Sequence, residues 1–220
     1  MRKLSSIFSG TGILLLVAAL ILILYNIHSD NHAKAASNEV VAILSENAFG
    51  EMVPETENKE MDDAIKVADE AVDSLEQETV IPDYELNPDM EMPLQTVNGQ
   101  DYIGVLTLEE LSLELPVMRD WDYPKLKESP CCYYGSAYQD NFVIMAHNFQ
   151  CHFGKIRNLS VGSIVTFKDM DNNIFTYEVI QTEMLNPTEV DTVKSGLWDL
   201  TLFTCTTGGQ YRIAVRCDKV

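Results

Sequence analysis

The uncharged run from Ile13 to Tyr25 (Ile-Leu-Leu-Leu-Val-Ala-Ala-Leu-Ile-Leu-Ile-Leu-Tyr) constrains this chain more than any other segment. Extended back to Ile7, across Ser9, Gly10, Thr11 and Gly12, the stretch is 19 residues long. A helix needs about 20 such residues to cross a bilayer core, and a helix satisfies its own backbone groups there. Arg2 and Lys3 precede the run, and no further Lys or Arg follows until Lys34. The positive-inside bias then predicts a single-pass anchor at residues 1–27, with its N-terminus cytoplasmic and the rest of the chain extracellular. The competing reading is a cleaved signal peptide, since Ala33-Lys34-Ala35 fits a small-x-small site. Seven residues separate Tyr25 from Ala33, a long gap for such a site, and this favours an uncleaved anchor.

Charge divides the remainder. The chain of 220 residues carries a formal net charge of −19. Residues 37–100 hold seventeen Asp and Glu against two Lys, and so account for most of it. Nucleic acid is excluded as a partner, because phosphate binding needs clustered Lys and Arg. Residues 28–100 read as an acidic extracellular stalk. Within it, Ile65, Ala68, Val72 and Leu75 recur at helical spacing and predict a helix over 60–78, thinly apolar and marginal alone. Pro82, Pro88 and Pro93 predict an extended linker beyond. Leu86-Asn87-Pro88-Asp89-Met90 is expected to be part of that spacer; the sharper alternative is a lid folded over an active site.

From residue 101 to 220 the pattern changes to short β-like runs: Tyr102–Leu106, Leu113–Val117, Phe142–His147, Ser163–Lys168, Ile174–Met184, Thr201–Cys205 and Tyr211–Cys217. Asp171-Asn172-Asn173 and Gly208-Gly209 mark hairpin turns, since these residues tolerate positive φ. A short helix is expected at Phe153–Leu159. Such spacing indicates a mainly β barrel or sandwich, and about 120 residues are enough for one core.

Cysteine is sparse and odd in number: Cys131, Cys132, Cys151, Cys205 and Cys217. Five thiols cannot all pair within one chain. Cys205 ends an apolar strand, and Arg212 stands across a Gly-containing turn on the next. If those strands pair, the guanidinium lies beside the sulfur, where a fixed fork of donors suits a developing oxyanion better than proton transfer. Arg216, four residues on, shares that face and is the rival arginine. His147 ends another apolar strand, and its ring can give a proton to a leaving amine and take one from an incoming amine. His152 is the rival histidine. Singly, such residues are ordinary core or surface groups; the functional reading rests on their combination. Cys131, Cys132, Cys151 and His152 lack the paired spacing of a zinc site, and neither a Walker motif, an H-E-x-x-H motif nor an EF-hand loop occurs. No metal and no cofactor are expected.

Residues 102–220 resemble the sortase family. The resemblance rests on Thr201-Leu202-Phe203-Thr204-Cys205 followed by Arg212, and on Ser136-Ala137-Tyr138-Gln139-Asp140-Asn141 leading into Ala146-His147-Asn148. It implies a closed eight-stranded β-barrel with short helices, behind the anchor and stalk. It implies Cys205 as nucleophile, His147 as general acid/base and Arg212 as the oxyanion-stabilising group, with Thr204 and Ala146 in the substrate-binding wall. The implied activity is that of a cysteine-type transpeptidase/endopeptidase of the hydrolase class. Such an enzyme cleaves an LPxTG-like C-terminal sorting signal through a thioacyl-enzyme. It then passes the surface protein to an amine of a peptidoglycan precursor or a pilin. An Asp-Pro-aromatic lid motif is absent, which disfavours pilin polymerisation. The segment Glu183 to Asp199 is expected to shape the substrate groove. Two alternatives stand beside this: a secreted cysteine protease that hydrolyses its acyl-enzyme, and an inactive membrane-tethered binding barrel.

Overall fold

A computed structural model describes residues 2–49 and 81–220, with side chains for 12–46, 81–189 and 191–220. The helix expected over 60–78 lies outside the described residues. The chain orders itself as α1 (Arg2–Phe49), then β1 (Gln95–Val97), β2 (Gln100–Leu108), β3 (Leu113–Met118), β4 (Cys131–Tyr134), β5 (Phe142–Met145), β6 (Ile164–Asp169), β7 (Ile174–Leu185), β8 (Leu200–Cys205) and β9 (Arg212–Lys219).

Hydrogen-bonded order runs β1-β2-β3-β4-β5-β8-β9-β7-β6, and β6 returns to β2. That last pairing closes β2 through β9 into an eight-stranded barrel, with β1 as a hairpin arm on β2. The core follows from period-two alternation. Val165 and Phe167 on β6, and Phe175, Tyr177 and Val179 on β7, all point inward and are buried. β8 is buried along Leu200–Thr204 because both of its faces are covered: Leu202 joins the barrel core, and Phe203 joins an outer cluster with Val143, Leu185, Val193 and Ala214.

The expected runs all appear as strands, with ends moved by one to two residues. β1 and β4 lie in stretches from which no strand was expected, because neither carries a continuous apolar run such as marks the similarly short β5. Phe153–Asn158 forms a 3-10 helix. The β6–β7 turn has Asn172 at φ +67°. The buried Asp169 carboxylate stabilises that turn by accepting from the Asp171 and Asn173 backbone N–H groups and the Tyr138 hydroxyl.

Helix α1 is 48 residues long, about 70 Å at 1.5 Å per residue. Residues 13–27 of its apolar part are exposed, and an 18-residue window of the helix has a mean hydropathy of 2.2. Among the described residues this is the one helix long and apolar enough to cross a membrane. The helix then continues unbroken into the segment read from sequence as the start of the stalk. There Ala33, Ser37, Val40 and Leu44 recur at i, i+4, i+7 and i+11 and are buried. Val40 and Leu44 pack with Val97, Tyr102, Met118, Leu126 and Cys131, so this stretch is docked on the barrel wall.

The segment considered as a lid lies elsewhere. Tyr84, in a helical turn Asp83–Leu86, stacks on Tyr138 with ring centroids 4.7 Å apart. Asp89 accepts a hydrogen bond from Gln139, and Met90 packs on the barrel core. None of residues 86–90 lines the cleft described below. Burial of Tyr84 against Tyr138 and Phe175 holds the segment on another part of the barrel.

Candidate active site

Three adjacent strands bring the candidate residues together. β5 and β8 run parallel in a constant register: Phe142 faces Leu200, Val143 faces Thr201, Ile144 faces Leu202 and Met145 faces Phe203. The pairing persists beyond the end of β5, where the Ala146 N–H donates to the Phe203 carbonyl and the Thr204 hydroxyl donates to the Ala146 carbonyl at 2.8 Å. Carried on by two residues, the same register sets His147 beside Cys205. On the other side, β8 and β9 are antiparallel, and Cys205 pairs with Arg212. Imidazole, thiol and guanidinium therefore stand in a row across β5, β8 and β9, and all three line one cleft of about 300 Å³.

Each position has a local cause. The β8–β9 turn closes through Thr206: its N–H donates to the Tyr211 carbonyl, and its hydroxyl accepts from the Tyr211 N–H. Gly208 and Gly209 both sit at positive φ, +86° and +73°, which a side chain would strain. Arg212 Nη1 donates to the Gly209 and Tyr211 carbonyls at 3.0 and 3.2 Å. That holds the guanidinium over the turn and leaves Nε and Nη2 to meet a ligand.

His147 is held by a tight loop. The Phe153 N–H donates to the His147 carbonyl, and the His152 and Gly154 N–H groups donate to the Phe149 carbonyl. A Cβ on Gly154 would sit 2.7 Å from the carbonyl oxygens of Asn148 and Phe149, so the loop closes only because residue 154 lacks one. The Asn148 N–H donates to His147 Nδ1 at 3.0 Å, which assigns the proton of the neutral ring to Nε2. Burial, and then the Lys127 ammonium, hold this imidazole below its ordinary pKa.

The remaining thiols are placed differently from Cys205, which is half-buried at the cleft. All five cysteines are free. Burial pushes the Cys131, Cys151 and Cys217 thiols up to about 12 and Cys132 up to about 11. A thiol so raised supplies almost no thiolate at neutral pH. Arg216, the rival arginine, shares a face of β9 with Arg212 but is 1% exposed. Its Nε donates to Glu183 at 2.7 Å, its Nη1 to Thr201 and the Val193 carbonyl, and its Nη2 to the Thr192 carbonyl. Every nitrogen is engaged and the side chain is buried, so Arg216 ties β9 to the segment between β7 and β8 and is out of a substrate's reach. Thr204 and Ala146 line the cleft, but the threonine hydroxyl is spent on the Ala146 carbonyl.

Sequence reasoning missed the aromatic wall. Trp121, Tyr123 and Tyr133 line the cleft with Phe203, and Tyr133 meets Phe203 edge-on at 5.0 Å. Density of aromatics between residues 121 and 134 was the available signal; without a strand pattern nothing connected it to Cys205. The segment expected to shape the groove does contribute Asn186, Pro187, Glu189 and Val193.

His152, the rival histidine, is fully buried outside the cleft. Burial first, and His147 second, push its pKa down to about 4. Such a ring binds fewer protons folded than unfolded between that value and the unfolded value of about 6.5. Its stability contribution is therefore intact above pH 6.5 and is lost as pH falls toward 4. At about 1.4 kcal/mol per unit, the loss is roughly 3 kcal/mol. Unfolding free energies at pH 7 and pH 4 should differ by roughly that much more in the native chain than in His152→Phe, whose ring does not titrate; equal pH dependence in both would refute it.

Comparison with known proteins agrees with the barrel. A family model described as the sortase domain matches residues 106–220. Sortase A from Corynebacterium diphtheriae superposes with a TM-score of 0.51 at 18% identity, over 55% of this chain and 61% of that one. Sortase C from Streptococcus pneumoniae superposes with a TM-score of 0.50 at 19% identity, over 57% of this chain and 70% of that one. At these identities the likeness is one of fold. A search of curated protein sequences found no significant match.

Proposed function

This chain belongs to the sortase family, and from that premise we propose that it is a membrane-tethered cysteine transpeptidase with Cys205 as nucleophile, His147 as general acid/base and Arg212 as oxyanion stabiliser. The observation that carries the reading is the row of those three side chains across β5, β8 and β9 at one cleft. The Cys205 thiol passes its proton to His147 as the sulfur attacks the carbonyl carbon of the threonine in an LPxTG-like sorting signal. The Arg212 Nε and Nη2 donors meet the oxygen as it gains charge. The C–N bond then breaks, His147 supplies the proton that lets the amine leave, and a thioester joins substrate to Cys205. An acceptor amine attacks that thioester, His147 takes its proton, the C–S bond breaks with that proton returned to the Cys205 sulfur, and a new amide is released.

Trp121, Tyr133 and Phe203 line the same cleft as Cys205, and an apolar wall of this kind supports an acceptor other than bulk water. Arg2 and Lys3 before the apolar half of α1 support an N-terminus in the cytoplasm and a barrel outside. The partners are surface proteins with a C-terminal sorting signal, and a peptidoglycan-precursor amine as acceptor in preference to a pilin lysine.

The test uses the full chain in detergent micelles with LPxTG-type peptides and an amine, read by mass spectrometry. An amide-linked product is expected. Free acid alone would identify a hydrolytic cysteine protease, and no cleavage across a panel of sorting peptides would favour the binding barrel.

A further inference from the structure

Behind His147 stands a stack that the reaction above does not use. The His147 ring lies against Phe149 with centroids 4.3 Å apart, and Phe149 lies against His152 at 5.7 Å. His152 Nε2 is 3.4 Å from the Ser37 hydroxyl on α1, and that hydroxyl donates to the Glu128 carbonyl. With its hydrogen spent there, Ser37 accepts from Nε2–H, which leaves His152 Nδ1 as a bare acceptor. Nδ1 is indeed buried without a hydrogen-bond partner. A second clamp lies one residue away, where Cys151 donates through both N–H and Sγ to Asp30 of α1. An apolar side chain would fill the His152 space with no orphaned nitrogen and less cost. What the histidine adds is a polar grip on the helix combined with a flat face toward Phe149.

We propose that Phe149 and His152 are positioning residues that transmit the seating of α1 to the His147 ring, so that the anchor helix forms part of the catalytic apparatus. The proposal rests on the functional reading above only for what His147 does; the coupling itself stands on the geometry. The path is short and continuous: Ser37, His152, Phe149, His147. Sequence separation makes it informative, because Ser37 and His152 are 115 residues apart. A helix docked only by apolar contact would tolerate sliding along its stripe, whereas the Asp30 and Ser37 bonds set both its depth and its rotation. The charged and titratable groups around His147 are Lys127 beside it, His152 in its own loop with Asp30 beyond, Tyr123, Tyr133, Cys205, Arg212 and Glu189 lining the same cleft, and Tyr25, His28, His32 and Glu128 facing Phe149.

The test takes the full chain in micelles with its four histidines carbon-13 labelled, and compares Phe149→Leu, Ser37→Ala and Ser37→Thr. Phe149 is half-buried, so Phe149→Leu keeps an apolar filler and the fold. Opening the ring wall admits water, and the His147 titration midpoint should rise by about half a unit or more in Phe149→Leu. In that variant kcat for peptide transfer should fall roughly tenfold while KM stays within about twofold. Ser37→Ala should move both readouts the same way by a smaller factor, about threefold in kcat, and Ser37→Thr, which keeps the hydroxyl, should restore them. The proposal is overturned if either damaging variant, with native Tm, leaves the His147 midpoint unmoved. It is equally overturned if KM alone changes, which would make Phe149 a substrate wall. If the native chain turns over no sorting peptide, the functional reading fails separately, and the titration still decides the coupling.

Discussion

Replacing Cys205 with alanine will abolish covalent capture of a sorting-signal peptide and lower kcat/KM by at least about 10⁴-fold, as loss of a nucleophile does elsewhere. The fold should survive. Cys205 is half-buried at a strand end beside a solvent-facing turn, so truncation removes one sulfur and leaves no enclosed cavity, a change of about 1 kcal/mol or less. The controls are the other thiols. Cys131→Ala and Cys132→Ala should each keep the thioacyl adduct, because both sulfurs lie outside the cleft and are held protonated by desolvation. Mass spectrometry of the trapped adduct, with Tm by calorimetry, separates the cases. Turnover by Cys205→Ala with its adduct on another cysteine would remove the nucleophile assignment.

Arg212 and Arg216 offer the second large contrast, because they lie four residues apart on the same face of one strand. Arg212→Lys should cost about 10²- to 10³-fold in kcat, the usual effect of losing one oxyanion donor, with a Tm near native. A lysine point charge cannot keep both carbonyl bonds of the turn and still present a fork to the substrate. Arg216→Lys should do the reverse. Its guanidinium serves Glu183, Thr201 and two carbonyls at once, and a single ammonium leaves several of them unpaired. A loss of about 2–3 kcal/mol is expected, scaled down because Glu183 is partly exposed, and Tm should drop by roughly 5–10 °C. Residual activity per folded molecule should stay well above that of Arg212→Lys. The opposite ranking, measured at a temperature where both are folded, would mean that the arginine roles are exchanged.

Both contrasts depend on a distinction that strand periodicity cannot make. Alternation puts Arg212 and Arg216 on one face, and so it does. What separates them is the cover: the segment between β7 and β8 gives its Thr192 and Val193 carbonyls to the buried Arg216, whereas the half-buried Arg212 bonds carbonyls of its own turn. Cys205 and Arg212 could be paired from sequence because a two-glycine turn between two apolar runs makes a hairpin, and a hairpin is local. The eight strands of the barrel were similarly legible wherever a run alternated or was continuously apolar. β4, Cys-Cys-Tyr-Tyr without the apolar run of the equally short β5, was not, and the aromatic wall beside it was missed with it.

The seating of α1 illustrates the other limit. Its apolar half declares itself by length and hydropathy. Its docked half carries Ala33, Ser37, Val40 and Leu44, two of them small, embedded in a polar stretch that reads as a spacer.

The chain's own pattern of residues therefore determined the membrane-length helix, the inward faces of the longer strands, and the hairpin that sets a thiol opposite a guanidinium, because each depends on neighbours within about a dozen positions. The tertiary structure alone decided that His147 stands beside Cys205 and that α1 reaches the back of that histidine. The first needs a parallel pairing across 58 residues, and the second a contact across 115. No turn fixes such registers; burial of one shared core does, and that term exists only once all the strands are present.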